Sequence, residues 1–162
     1  FTNQNGEKID QTFVKDKIFV VEYFFTTCGS ICPVMNKQLQ RVQERFKGSE
    51  DLKILSHTVW PEVDTVEQMK RYAVAHDADD TMWQFLTGSR EDLYKMARRQ
   101  YFTLKPSEVE GQGDGDSDFI HTNNFVLVDK NKRIRGYYDG TNPEEVDKLM
   151  TDIQNLIEGT AD

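Results

Sequence analysis

Residues 18–25, Ile18-Phe19-Val20-Val21-Glu22-Tyr23-Phe24-Phe25, are β-branched or aromatic except for one glutamate. A run with so little polar alternation suits a strand buried on both faces of a mainly parallel sheet. Two cysteines follow in Thr26-Thr27-Cys28-Gly29-Ser30-Ile31-Cys32-Pro33. Beyond them Met35, Leu39, Val42 and Phe46 recur at helical spacing, with Lys37, Gln38, Gln40, Gln43 and Glu44 between. The cysteines therefore sit where a central strand turns into a helix.

The rest of the chain repeats this alternation. Residues 52–59 read as a strand, and Asp64 with Glu67 makes a capping-box pattern before a helix carrying Val66, Met69 and Ala73. Residues 82–86 read as a strand ended by Thr87-Gly88. Ser89 then opens a helix with Leu93, Met96, Ala97 and Tyr101 inward and Arg98 and Arg99 near its C-terminal end. Residues 125–129 and 133–139 form a hairpin around Lys130-Asn131-Lys132, with Tyr137 and Tyr138 stabilising it. Asn142 caps a final helix with Pro143 at its first position and Val146, Leu149, Met150, Ile153 and Ile157 on its apolar face. The Asn5-Gly6 pair marks a small hairpin at the start. Residues 105–118, with three glycines and five acids, read as a flexible acidic loop. With 162 residues and no internal repeat or domain-sized linker, the chain is expected to be one domain, 1–162. The expected fold is α/β and thioredoxin-like: a mixed central sheet flanked by helices, with an N-terminal hairpin.

Charge narrows the partners. Twenty Lys and Arg against 28 Asp and Glu give a net charge of −8, which argues against nucleic acid or an anionic membrane surface. No apolar run is long enough to span a bilayer, the longest being interrupted by Glu22. The chain begins at Phe1, so the expectation is a soluble domain whose targeting segment or anchor has been removed, and a monomer.

Two cysteines are too few for a disulfide scaffold. Four apart on a helix, their sulfurs lie on one face, close enough for a disulfide or for one shared metal ion. Unpaired N–H groups at a helix start stabilise a thiolate, which makes reactive thiol chemistry the natural use of the site. An inert pair is the plain alternative; as a staple it would add only about 2 kcal/mol.

A metal site needs a third ligand. His57 falls inside a strand and reads as a hydrogen-bonded strand residue, and His76 falls near a helix C-terminus, where the dipole favours it. His121 precedes the strand at 125–129, in the loop that faces the cysteine helix of a thioredoxin-like sheet, 89 residues beyond Cys32. A polar loop histidine is its bland reading. General thiol–disulfide oxidoreductases of this fold resemble one another in placing a cis-proline in that loop. The prolines here are Pro33, Pro61, Pro106 and Pro143, none of them within 121–124. Two thiolates and an imidazole suit Cu(I); the set can also hold Cu(II), with zinc as competitor.

The segment Phe25-Thr26-Thr27-Cys28-Gly29-Ser30-Ile31-Cys32-Pro33 resembles the F-T-x-C-x-x-x-C-P signature of the Sco/SenC proteins. The resemblance continues through Pro61-Glu62-Val63-Asp64-Thr65, Leu86-Thr87-Gly88, Asp118-Phe119-Ile120-His121-Thr122 and Phe125-Val126-Leu127-Val128-Asp129. It implies a thioredoxin fold, membrane-anchored outside the cytoplasm in the bacterial periplasm or cell envelope. It also implies copper held by Cys28, Cys32 and His121, and assistance to assembly of the dinuclear copper site of cytochrome c oxidase. The implied partner is the oxidase copper-site subunit or another copper or thiol protein. Gly29, Trp60 and Ile120 depart from the family pattern, which often has Pro, Asp and Asp there.

Two function classes follow: a copper metallochaperone, and a thiol–disulfide oxidoreductase with Cys28 as nucleophile and Cys32 resolving. A peroxide-reducing or redox-sensing thiol protein ranks third, because Thr26 and Cys28 are only two apart. Trp60 is either a recognition residue or a packed aromatic at a strand end. The acidic loop is either a gate or a solvated segment.

Overall fold

In the computed structural model, residues 1–26, 31–99 and 124–159 are described, the side chains of 31–32 and 97–99 excepted. Five strands and four α-helices are present among them: β1 (Ile18–Phe24), α1 (Ile31–Arg45), β2 (Leu52–Thr58), α2 (Val66–Ala75), β3 (Trp83–Leu86), α3 (Arg90–Arg99), β4 (Asn124–Val128), β5 (Ile134–Asp139) and α4 (Pro143–Glu158). The sheet order is β3-β2-β1-β4-β5. Strand β1 pairs in parallel with β2 and antiparallel with β4; β2–β3 is parallel and β4–β5 antiparallel. The sheet is thus mixed, with the apolar β1 at its centre and all seven of its residues buried.

Strand alternation divides the core. Ile18, Val20 and Phe24 of β1 face Met35, Leu39 and Val42 of α1 and Phe46 just beyond it, together with residues of α2 and α4. The steps β1-α1-β2 and β2-α2-β3 move the same way across the sheet, so right-handed crossovers put both helices on one face. Phe19, Val21 and Tyr23 point the other way, against Leu93 and Tyr94 of α3 and the N-terminal segment. Helix α4 has the expected cap, Asn142 accepting from Glu144 N at 2.9 Å, and buries Val146, Leu149, Met150 and Ile153.

Two local readings change. The N-terminal hairpin is reduced to one bridge, Thr2 to Lys8, around Gly6 at φ +78°. Its larger role is to cover the β3 edge. Thr2 pairs with Thr87, while the Gln4 amide accepts from Phe85 N at 3.0 Å and donates to Trp83 O at 3.3 Å, as a neighbouring strand would. At α2, the cap is Thr65, which accepts from Gln68 N at 3.2 Å, whereas Asp64 turns inward. The capping pattern was displaced by one residue because a buried network competes for the Asp64 carboxylate.

The inward residues of α3 include Tyr94 beside Leu93, while Ala97, Arg98 and Arg99 have side chains outside the described set and Tyr101 lies outside it altogether. The acidic loop at 105–118 also lies outside the described residues.

Candidate metal centre

Strand β1 delivers the chain to the carboxyl edge of the parallel strands, the edge where open α/β sheets bind ligands. Phe25 and Thr26 leave the sheet there, and α1 begins at Ile31 with Cys32 as its second residue and Pro33 as its third. Cys32 therefore occupies a first helical turn, as the sequence pattern required. Proline suits this turn, where its missing N–H costs nothing. The antiparallel pairing of Val21 with Val126 and Phe19 with Val128 puts the start of β4 at that same edge. Cys28 and His121 themselves lie outside the described residues, as does the Cys32 side chain.

A buried polar network surrounds Thr26, two residues before Cys28. Asp64 is fully buried and accepts from Thr26 N at 3.2 Å through each oxygen, from Thr26 Oγ1 at 2.5 Å and from Thr58 Oγ1 at 2.5 Å. Gln68 Nε2 donates to Thr26 Oγ1 at 3.1 Å, and Trp60 N donates to Thr58 Oγ1 at 2.9 Å. Burial raises the Asp64 pKa above the usual carboxylate value, against the lowering effect of the Thr26 and Thr58 hydrogen bonds. Trp60 is half-buried and packs edge-on to Phe25, ring centroids 6.3 Å apart, which favours the packed-aromatic reading.

Beneath α1 lies a second polar group. Glu22 is paired with Ser56 across β1–β2, and Ser56 Oγ donates to Glu22 Oε2 at 2.5 Å while accepting from Trp83 Nε1 at 2.8 Å. Complete burial pushes the Glu22 pKa up to about 8, so the carboxyl is mostly protonated at neutral pH. On α1 itself, buried Asn36, one turn beyond Cys32, donates to Tyr72 Oη at 2.6 Å and ties α1 to α2.

The other histidines belong to packing. His57 is 1% exposed, stacked on Tyr23 at 5.1 Å and edge-on to Phe1 at 5.5 Å; burial pushes its pKa down to about 3. His76 is the C-cap of α2, its ring 4.4 Å from that of Tyr72, and burial lowers its pKa. Among the described residues, no three His, Cys, Asp or Glu side chains group as a metal site. Sequence reasoning missed the inward role of Asp64 and the neutral Glu22. The first had a signal in Pro61-Glu62-Val63-Asp64-Thr65, the second in a lone acid within an otherwise apolar strand.

Residues 1–158 match the SCO1/SenC family. The chain belongs to that family. Its relatives include the SCO1 protein homolog of Bacillus subtilis strain 168, 27% identical over 157 residues, which are 96% of this chain and 79% of the relative. A SCO1/SenC family lipoprotein from Bacillus anthracis is 27% identical with a TM-score of 0.83, covering 97% of this chain and 91% of that one. BsSco is described with a disulfide switch, as a member of the Sco family of cytochrome c oxidase assembly proteins. It is 27% identical with a TM-score of 0.77, covering 96% and 89% of the two chains. The α/β fold with its mixed sheet is therefore the thioredoxin-like Sco fold.

Proposed function

We propose that this SCO1/SenC protein is a copper metallochaperone that holds copper through the Cys28 and Cys32 thiolates and the His121 imidazole. It delivers the ion to the dinuclear copper site of cytochrome c oxidase. The observation that carries the proposal is the C-x-x-x-C sequence spanning the β1–α1 junction, with Cys32 in the first turn of α1. The partial positive charge of a helix start favours thiolates, and two thiolates with an imidazole form a soft, low-coordinate set suited to Cu(I). Copper-bound Sco structures from Bradyrhizobium japonicum and Arabidopsis thaliana have the same fold. BsSco belongs to a family of oxidase assembly proteins, which supports the oxidase copper-site subunit as acceptor. The lipoprotein relative supports a site of action outside the cytoplasm, with the domain anchored to the membrane.

Transfer proceeds by ligand exchange, the acceptor's thiols replacing Cys28 and Cys32 one at a time. The test is an anaerobic Cu(I) competition titration of the reduced protein with His121→Ala alongside. Tight one-to-one binding that falls sharply in the variant is the expected result; binding indifferent to His121 rejects the three-ligand site.

A second reading has support from the disulfide switch of BsSco. The Cys28 thiolate attacks a partner disulfide, releasing one partner thiolate, and Cys32 then resolves the mixed disulfide, releasing the other. The protein ends oxidised and the partner reduced. A Cys32→Ser variant that traps a mixed disulfide, with reduction unaffected by His121→Ala, favours this reading.

A further inference from the structure

Thr26 is the last described residue before Cys28, and its surroundings are unusual for a residue leaving a strand. Its main-chain N–H and its hydroxyl both donate to one buried carboxylate, Asp64, and its hydroxyl also accepts from Gln68 Nε2. The bonds to Asp64 tie the β1 exit to the β2–α2 connection, and the bond from Gln68 ties it to the first turn of α2. That connection is braced in turn. Arg90 of α3 holds Glu62 through Nε at 2.9 Å and through a second nitrogen at 3.0 Å, and Tyr94 Oη donates to Val59 O at 3.4 Å. The chain just before the cysteine loop is therefore anchored to two other segments rather than left to the loop's own geometry.

We infer that the Thr26–Asp64 contact is a positioning element for the Cys28–Cys32 pair, setting the dithiol geometry and with it the affinity for copper. The inference rests on the metallochaperone reading. A hydrogen bond to both the amide and the hydroxyl of one residue fixes its backbone and its χ1 together. Cys28 follows two residues on, so freedom removed at Thr26 is removed from the start of the ligand loop. Metal sites whose outer hydrogen bonds are lost bind less tightly because the ligands must be ordered at the moment of binding. A mere structural tie would lower stability without a separate effect on the dithiol.

The experiment compares wild type with Thr26→Val, which keeps the shape and the amide but lacks the hydroxyl, and with Thr26→Ser, which keeps the hydroxyl. Three quantities are measured on each: Cu(I) affinity by competition, the urea midpoint, and the equilibrium constant for protein disulfide plus two glutathione giving protein dithiol plus glutathione disulfide. Expected is a loss of Cu(I) affinity of about tenfold or more in Thr26→Val. A shifted glutathione equilibrium accompanies it, and the serine variant matches wild type. The urea midpoint of Thr26→Val falls, as loss of a hydrogen bond to a buried carboxylate requires, while the variant stays fully folded under the titration conditions. Wild-type values of both dithiol readouts in Thr26→Val overturn the inference. So does a loss in Thr26→Ser as large as that in Thr26→Val, or a loss in Thr26→Val no larger than its unfolded fraction accounts for. If wild type itself binds no Cu(I), the metallochaperone reading fails, and the glutathione equilibrium alone decides whether Thr26 positions the pair.

Discussion

Glu22 and Ser56 face each other across the two central parallel strands, and the Ser56 hydroxyl donates to a carboxyl that burial holds near pKa 8. This places a protonated acid in the middle of the core, under the helix whose first turn holds Cys32. His57, one residue further along β2 and on the opposite face, is buried in its neutral form with a pKa near 3.

These two groups shape the pH dependence of stability in opposite senses. The folded Glu22 binds its proton more tightly than the unfolded carboxyl, so its contribution is complete below about 4.5 and is lost as pH rises through about 8. The folded His57 binds its proton less tightly, so its contribution is complete above about 6.5 and is lost as pH falls toward about 3. From these groups the expected profile is flat between the two unfolded values and falls on either side, at up to about 1.4 kcal/mol per pH unit. In Glu22→Gln the alkaline fall is abolished. Urea midpoints of both proteins from pH 4 to pH 9 check this; an unchanged alkaline limb in the variant rejects a neutral Glu22.

Removing the Ser56 hydroxyl exposes how the core carries that acid. Ser56→Ala leaves the Glu22 carboxyl and the Trp83 indole N–H without their shared partner. A loss of about 1–3 kcal/mol is expected. Because the Ser56 bond lowers the Glu22 pKa, the alkaline fall should also extend to higher pH, with its onset unchanged. Denaturation series at two pH values separate the two effects.

Gln4 stands in for a missing strand at the β3 edge. Gln4→Ala frees Phe85 N and Trp83 O, and the expected cost is again about 1–3 kcal/mol. Hydrogen exchange at the Phe85 amide should quicken more than exchange in β1, which lies at the centre of the sheet. Equal protection in variant and wild type contradicts this role.

Copper binding should depend on the redox state of the pair, since a disulfide is a poor ligand. Oxidation of Cys28 and Cys32 with diamide is expected to abolish Cu(I) binding, and reduction to restore it. Undiminished binding by the oxidised protein places the metal elsewhere.

The helices and strands were legible because their signals are local. Met35, Leu39, Val42 and Phe46 keep helical spacing, and residues 18–24 admit few polar side chains; both elements appear where expected. Cys32 at a helix start was legible for the same reason. The α2 cap was misread by one residue because Asp64 and Thr65 are both good caps. The choice between them is made by Thr26 and Thr58, 38 and 6 residues away in sequence. The amide pairing of Gln4 with β3 was likewise out of reach, since its partners lie 79 and 81 residues on.

By itself the sequence determined the order of elements, the apolar centre of the sheet and the cysteine spacing, because periodicity and helix-start chemistry act over a few residues. Only the tertiary structure decided which polar side chains go inside and in what protonation state. Whether Glu22, His57 and Asp64 face water or a buried partner depends on strands and helices remote in the chain. In a low-dielectric core that difference moves a group's pKa by several units.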